Sequence, residues 1–198
     1  MSLPGLIFAT NNQHKADEIR LVLNGLFEIQ TLKDAGILID IPEPYDTLEE
    51  NATEKSRVIH QLTSGNCFSE DTGLEVTALN GAPGVKSARY AEGDKQFNNN
   101  TEKLLFHLKD QNDRTAQFRT VISLVLHGKE YQFEGTCTGV ITRDAKGDNG
   151  FGYDPVFIPT GADKTFAEMT MEEKTLYSHR KKATRKFVDF LTGDNGKS

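Results

Sequence analysis

Two adjacent acids, Glu70 and Asp71, end the strand-like run NCFSED (66–71) and are followed by Thr72 and Gly73. Acids at the end of an apolar strand, ahead of a glycine turn, stand where α/β sheets place their ligand sites. Glu43 and Glu50 add carboxylates upstream. Hard oxygen ligands without histidine or cysteine suit Mg²⁺, which keeps several waters and binds through one or two carboxylates plus substrate phosphates. A carboxylate beside such an ion can act as general base on water. The alternative is a strand that simply ends in solvated acids.

Two lysines supply the opposite charge. The stretch TNNQHK (10–15) leads from an apolar run into a helix, and such a junction offers free backbone N–H groups to an anion. Thr10 and Asn12 add hydrogen-bond donors. Lys15 falls in the first helical turn, where the helix dipole favours acids over cations. Either an anion sits in the loop, or this is a capped helix with an exposed lysine. The spaced glycines of a Walker A loop are absent. Lys55 is the second cation. Leu48, Ala52, Lys55, Ile59 and Leu62 recur at helical spacing, so Lys55 lies within an apolar stripe. Its ammonium must snorkel to the edge or meet a buried counter-charge, which an anionic ligand would provide.

The last third carries rings and further donors. Phe151 and Tyr153 lie in the glycine-rich loop GDNGFGYDP (147–155), which places them away from any helix or strand core. A ring there can stack on a flat heterocycle, and Asp154 can accept hydrogen bonds from its edge. Lys174, His179 and Arg180 add donors. Lys181, Lys182, Arg185 and Lys186 read as a solvated helix face, and Ser178 as a cap for the last helix. Phosphate binding, metal, stacking and edge recognition together match the needs of a purine nucleoside triphosphate.

The elements that must position these groups interleave. A strand at 6–10 precedes a helix at 13–26, with Asn12 as N-cap and Ala16, Ile19, Leu23 and Leu26 at helical spacing. FEIQTL (27–32) reads as a strand, and 36–46 as irregular because of Pro42 and Pro44. A helix spans 48–62. Residues 73–95 read as strand and loop, and 98–110 as a short helix capped near Asn100 or Thr101. The β-rich runs 117–127 and 130–143 form a hairpin about His127, Gly128 and Lys129. Ala183, Phe187, Phe190 and Leu191 mark one face of a C-terminal helix. The order implies a mixed α/β sheet fold.

The totals exclude several classes. A chain of 198 residues makes one substantial domain, or one domain with a small lobe. No apolar run approaches the roughly 20 residues that span a bilayer, and no signal-peptide pattern opens the chain. Cys67 and Cys137 lack a metal-type spacing, which favours a reduced, cytoplasmic setting. The five histidines form no short ligand pair, which argues against zinc. A net charge of −6 argues against a nucleic-acid polymer as partner but leaves room for a small anion in a basic pocket.

TNNQHK, ENATEK, EDTGLEV, GAPGVKSARY, GFGYDPVF and EEKTLYSHR, in this order over residues 10–180, resemble the inosine triphosphate pyrophosphatase family. The resemblance implies one domain over 1–198: an elongated mixed α/β sheet flanked by helices, in two lobes with a nucleotide cleft between them. It implies a Mg²⁺-dependent cytoplasmic homodimer of nucleotide metabolism. Such an enzyme hydrolyses ITP, dITP or XTP at the α-phosphorus to monophosphate and pyrophosphate. By the same resemblance, Thr10, Asn12, Lys15 and Lys55 hold the triphosphate, with Asn11, Gln13 and His14 in the same loop. Asn11 stands where many relatives have glycine. Asp71 is proton acceptor and metal ligand, Glu43 a further metal ligand, and Glu70 their support. Thr72 contacts substrate, Phe151 stacks on the base with Gly152, Tyr153 and Asp154 beside it, and Lys174, His179 and Arg180 complete the base pocket. The septum-associated nucleotide pyrophosphatases are the nearest rival, opposed by SHR and FGYDP. A non-catalytic nucleotide sensor is opposed by the full carboxylate set, and a Rossmann dehydrogenase by the missing G-x-G-x-x-G.

Overall fold

The first strand, β1 (Gly5–Phe8), buries Leu6 and Phe8 and leads through the polar loop into α1 (Gln13–Val22). A computed structural model describes residues 4–23 and 25–193 of the chain. Asn12 caps α1 by accepting from the Lys15 amide at 3.2 Å. The helix stops well before the expected residue 26, because the chain turns through Gly25 at φ +79°. Leu26 is therefore outside the helix and exposed. β2 (Glu28–Thr31) pairs parallel to β1, Leu6 against Ile29.

α2 (Leu48–Thr63) follows the irregular segment, capped by Thr47, whose hydroxyl accepts from the Glu50 amide. Leu62, expected on its apolar stripe, is exposed at the last turn. β3 (Cys67–Val76) has 10 residues against the 4 of β1 and corrects the sequence reading. Gly73 is not a turn: the strand runs through it, so Glu70 and Asp71 lie mid-strand. The glycine is held extended because β3 continues to pair beyond it, Leu74 opposite Gly84 of the two-residue β4 (Pro83–Gly84).

α3 (Asn100–His107) is capped by Asn99, one residue ahead of the expected cap. β5 (Thr115–Leu126) and β6 (Lys129–Ile141) form the expected hairpin. His127 at φ +51° and Gly128 at φ +75° both take the left-handed backbone that a tight two-residue hairpin turn requires. β7 (Phe157–Pro159), α4 (Met171–Tyr177) and α5 (His179–Thr192) complete the chain. Ser178 caps α5 through the Lys181 amide, as its position suggested. The strands form one mixed sheet in the order β2-β1-β3-β5-β6-β7, with β4 beside β3. No described helix is long and apolar enough to cross a membrane.

The chain divides into two compact units. Of the described residues, unit 1 takes those up to 71, then 121–134 and those from 183 on; unit 2 takes 72–120 and 135–182. Unit 1 has apolar packing on both faces of its strands. Phe8 stacks on Phe68 at 4.3 Å, with Phe187 of α5 beside them, while Ile59 of α2 packs with Cys67 and Val125. The core of unit 2 gathers Leu74, Leu104, Phe118, Phe157 and Phe166.

Candidate functional site

In unit 1 the site begins with a ladder. Successive side chains of a strand alternate between faces, so Cys67, Ser69 and Asp71 share the face that α2 covers. Cys67 Sγ donates to the Ser56 carbonyl at 3.1 Å, and Ser69 Oγ donates to the Ala52 carbonyl one helical turn earlier. Ser56 Oγ pairs with Ser123 Oγ at 2.8 Å. The helix is thereby fixed in register with the strand, and Lys55 is delivered to Asp71.

Lys55 is only 9 % exposed, and its ammonium uses all three of its donors. They go to Glu43 Oε1 at 2.7 Å, the Glu70 carbonyl at 3.0 Å and Asp71 Oδ1 at 3.4 Å. The lysine does not snorkel; it finds buried counter-charge. Asp71 Oδ2 is buried with no hydrogen-bond partner among the described residues. Burial pushes the Asp71 carboxyl above the usual aspartate range; Lys55 offsets part of the shift and Glu43 adds to it. Glu43 comes from the irregular segment ahead of α2. That segment is bracketed by Asn51, whose Oδ1 accepts from the Tyr45 amide and whose Nδ2 donates to the Tyr45 carbonyl, both at 3.0 Å.

Glu70 points to the opposite face, where Lys15 of α1 meets it at 3.2 Å. Its carboxylate supplies a counter-charge to the cation in the first turn of α1. In the same loop Thr10 Oγ1 accepts from the Asn12 amide at 3.1 Å, and Asn11 is exposed. Gln13 turns to Asp17 at 2.7 Å. The His14 side chain lies outside the described residues.

Unit 2 holds the second group. Phe151 is 73 % exposed. Its amide donates to Asp154 Oδ2 at 2.8 Å, and Lys174 Nζ donates to the same oxygen at 2.5 Å. The ammonium sits 5.3 Å from the centre of the Phe151 ring and 5.1 Å from that of Phe166, within cation–π range. A Cβ on Gly150, itself at φ +79°, would overlap the Asp154 carboxylate. Gly152 takes a hydrogen bond from Thr101 at 3.0 Å.

Tyr153 corrects the sequence reading. It is buried in the unit 2 core instead of standing away from it, and its hydroxyl donates to the Ser87 carbonyl at 3.0 Å. Burial raises its pKa. Asp154 is likewise turned inward, its Oδ2 committed to the loop and to Lys174. Thr72 pairs with Thr120 at 2.8 Å. His179 opens α5 with its ring stacked on Phe118 at 4.9 Å, and half-buried Arg180 follows it. Phe118 and Asn51 went unnoticed in the sequence. Asn51 lies three residues after Leu48 and four before Lys55, so the spacing that singled out Lys55 also placed it on the buried stripe.

A cavity of about 280 Å³ in unit 2 is lined by Glu75, Thr77, Gln117 and Thr138 among others, none of them a residue above. Glu75 is already engaged by Gln117 and Arg119, each at 2.8 Å. Among the described residues no group of three or more His, Cys, Asp or Glu is arranged to hold a metal. Two carboxylates in an oxygen-only setting, one with a buried unpartnered oxygen, still fit an ion that takes its remaining ligands from water and phosphate.

Fold and site together define an α/β protein in which lysines and acids converge at a strand, the pattern of one that handles phosphate. The chain belongs to the Ham1 family, whose model matches residues 6–190. A dITP/XTP pyrophosphatase of Porphyromonas gingivalis is 50 % identical over 188 residues, covering 94 % of this chain and 96 % of that one. One of Flavobacterium johnsoniae is 48 % identical over 187 residues, covering 94 % and 97 %. Among solved structures, the Staphylococcus aureus Ham1 protein superposes with a TM-score of 0.90 at 38 % identity, covering 96 % of this chain and all of that one.

Proposed function

We propose that the chain is a hydrolase of non-standard purine nucleoside triphosphates, converting ITP, dITP or XTP to the monophosphate and pyrophosphate. The observation that carries the proposal is Lys55, buried and bonded to Glu43, Asp71 and the Glu70 carbonyl, beside an Asp71 oxygen with no partner among the described residues. Full-length similarity to proteins named dITP/XTP pyrophosphatase supports it.

In this reading Lys15 and Lys55 neutralise the triphosphate, with the amides and side chains of residues 10–15 around it. Asp71 takes the proton of the water that attacks the α-phosphorus; the bond to the bridging oxygen breaks and pyrophosphate leaves. An elevated pKa suits a general base working near neutrality. Glu43 and Asp71 would hold Mg²⁺, with Glu70 in support; bound there, the ion would neutralise phosphate charge. Most of the acceleration comes from positioning and charge neutralisation.

Phe151 offers its exposed ring to the base, beside Gly152, Tyr153 and Asp154, with Lys174 under that ring. Thr72 contacts substrate. His179 and Arg180 present donors to the keto oxygen of hypoxanthine or xanthine, where adenine carries an amino group. A buried donor left facing a donor costs orders of magnitude in kcat/KM. The homodimer belongs to the same proposal, and the mass of the chain in solution checks it.

The test is a product assay with Mg²⁺ and ITP, XTP, GTP or ATP, resolved by ion exchange. Monophosphate plus pyrophosphate, formed far faster from ITP and XTP than from ATP or GTP, is the expected result. Diphosphate plus phosphate would move the attack to the γ-phosphorus and overturn the mechanism.

A further inference from the structure

The segment that carries Glu43 has little of its own to hold it. Residues 38–46 contain neither helix nor strand, and Pro42 and Pro44 remove two backbone donors. Ile41 packs, partly buried, against the core of unit 1, but Leu38, Ile39 and Tyr45 expose much of their apolar surface, so burial holds the segment ahead of Glu43 and not beyond it. Yet Glu43 sits 2.7 Å from Lys55. Something must fix the backbone close by.

Asn51 does so. It is fully buried on the first turns of α2, and both ends of its amide are spent on one residue, Tyr45. A primary amide carries one acceptor and two donors, so it can bracket a peptide N–H and C=O together. Aspartate lacks the donor, and serine cannot reach both. Tyr45 is two residues from Glu43, while Asn51 is one helical turn from Lys55. The same turn of α2 therefore carries both the ammonium and the bracket that brings a carboxylate to it.

We infer that Asn51 is a positioning residue: by clamping Tyr45 it sets Glu43 against Lys55 and Asp71, and so shapes the oxygen site for a divalent ion. What Glu43 does there rests on the function proposed above; the clamp itself does not. Residues that orient ligands typically change metal affinity by 10–100-fold when removed.

The experiment compares wild type, Asn51→Ala, Glu43→Ala and the double variant, all full length. Circular dichroism checks folding, and Asn51→Ser replaces Asn51→Ala if the latter does not fold. Two quantities are read: amide hydrogen exchange over 41–47 without metal, and Mn²⁺ affinity by electron paramagnetic resonance with a non-hydrolysable nucleoside triphosphate bound. Asn51→Ala should speed exchange at Tyr45 at least tenfold, by the loss of a buried hydrogen bond. It should weaken Mn²⁺ about tenfold, and the double variant should bind no worse than Glu43→Ala alone. Unchanged exchange, or losses that multiply in the double variant, would overturn the inference. Faster exchange with intact Mn²⁺ binding in Glu43→Ala would uphold the clamp and instead remove Glu43 from the proposed metal site.

Discussion

Lys55 reaches its three oxygen partners from the middle of a 16-residue helix docked on a strand, whereas Phe151 stands on a loop tied down by side chains. In unit 1 the register between α2 and β3 is set by regular structure, and the charges inherit their places from it. In unit 2 one carboxylate, Asp154, holds both the Phe151 amide and Lys174. Charge chemistry on phosphorus demands sub-ångström placement, which helices and strands supply. A stacking ring needs only a face at the right height, and a stiffened loop can supply that. The two groups should therefore fail differently when altered.

The largest difference is expected at the chemical step. Asp71→Asn keeps the shape of the unit 1 group but removes the proposed base, so kcat should fall about a thousandfold while nucleotide binding persists. Single-turnover rates and equilibrium binding of ITP separate the two effects. A variant with full activity would show that another group takes the proton.

Next in size is the loop of unit 2. Gly150→Ala forces a Cβ onto the Asp154 carboxylate at a positive φ. Strain of this kind costs about 2 kcal/mol, visible as a lower denaturation midpoint. It should also raise KM by displacing Phe151, with kcat little changed. An equal loss in kcat would mean that the loop takes part in the chemistry.

How much of this was legible in the sequence follows from how local each feature is. The hairpin at His127-Gly128, the caps at Asn12 and Ser178 and the extent of α2 rest on neighbouring residues, and each was readable. The apolar stripe left Lys55 two outcomes, snorkelling or a buried counter-charge, and its contacts with Glu43, Asp71 and the Glu70 carbonyl decide for the second. Gly73 misled because a glycine after two acids has the local signature of a turn, while the pairing of β3 with β4 that keeps it extended is non-local. Tyr153 misled for the same reason: nothing within the loop reveals that Ser87 draws it inward, or that Lys174 reaches Asp154. The pair Lys15–Glu70 was invisible too, since its members come from separate elements. Asn51 was legible by the spacing argument, but an amide on a buried stripe attracts less notice than a charge.

A smaller effect sharpens the contrast from the unit 2 side. Phe151→Ala removes a ring that is mostly exposed and contributes little to the core. Stability should stay unchanged, while KM rises about tenfold, since stacking on an aromatic side chain is worth about 1–3 kcal/mol per base. Because every purine has a face to stack, the loss should be similar for ITP and ATP. A loss confined to ITP would assign Phe151 to recognition of the base edge instead.

The smallest effect concerns stability and has a sign that either supports or sinks the account of unit 1. Asp71 is held above the ordinary aspartate pKa because burial outweighs the attraction of Lys55. The folded state therefore binds that proton more tightly than the unfolded state. Its contribution to stability is present at pH values below the ordinary aspartate pKa and is lost as pH rises to the elevated folded value. Asp71→Asn carries no such proton, so in metal-free protein the variant should gain on wild type as pH climbs through that window, then keep a constant lead. Denaturant melts at closely spaced pH values, with the two curves subtracted, isolate this one group from the other carboxylates. A difference that ran the opposite way would mean that Lys55 more than compensates for burial. The unit 1 group would then be a stabilising salt bridge, not a carboxylate held at a cost for its chemistry.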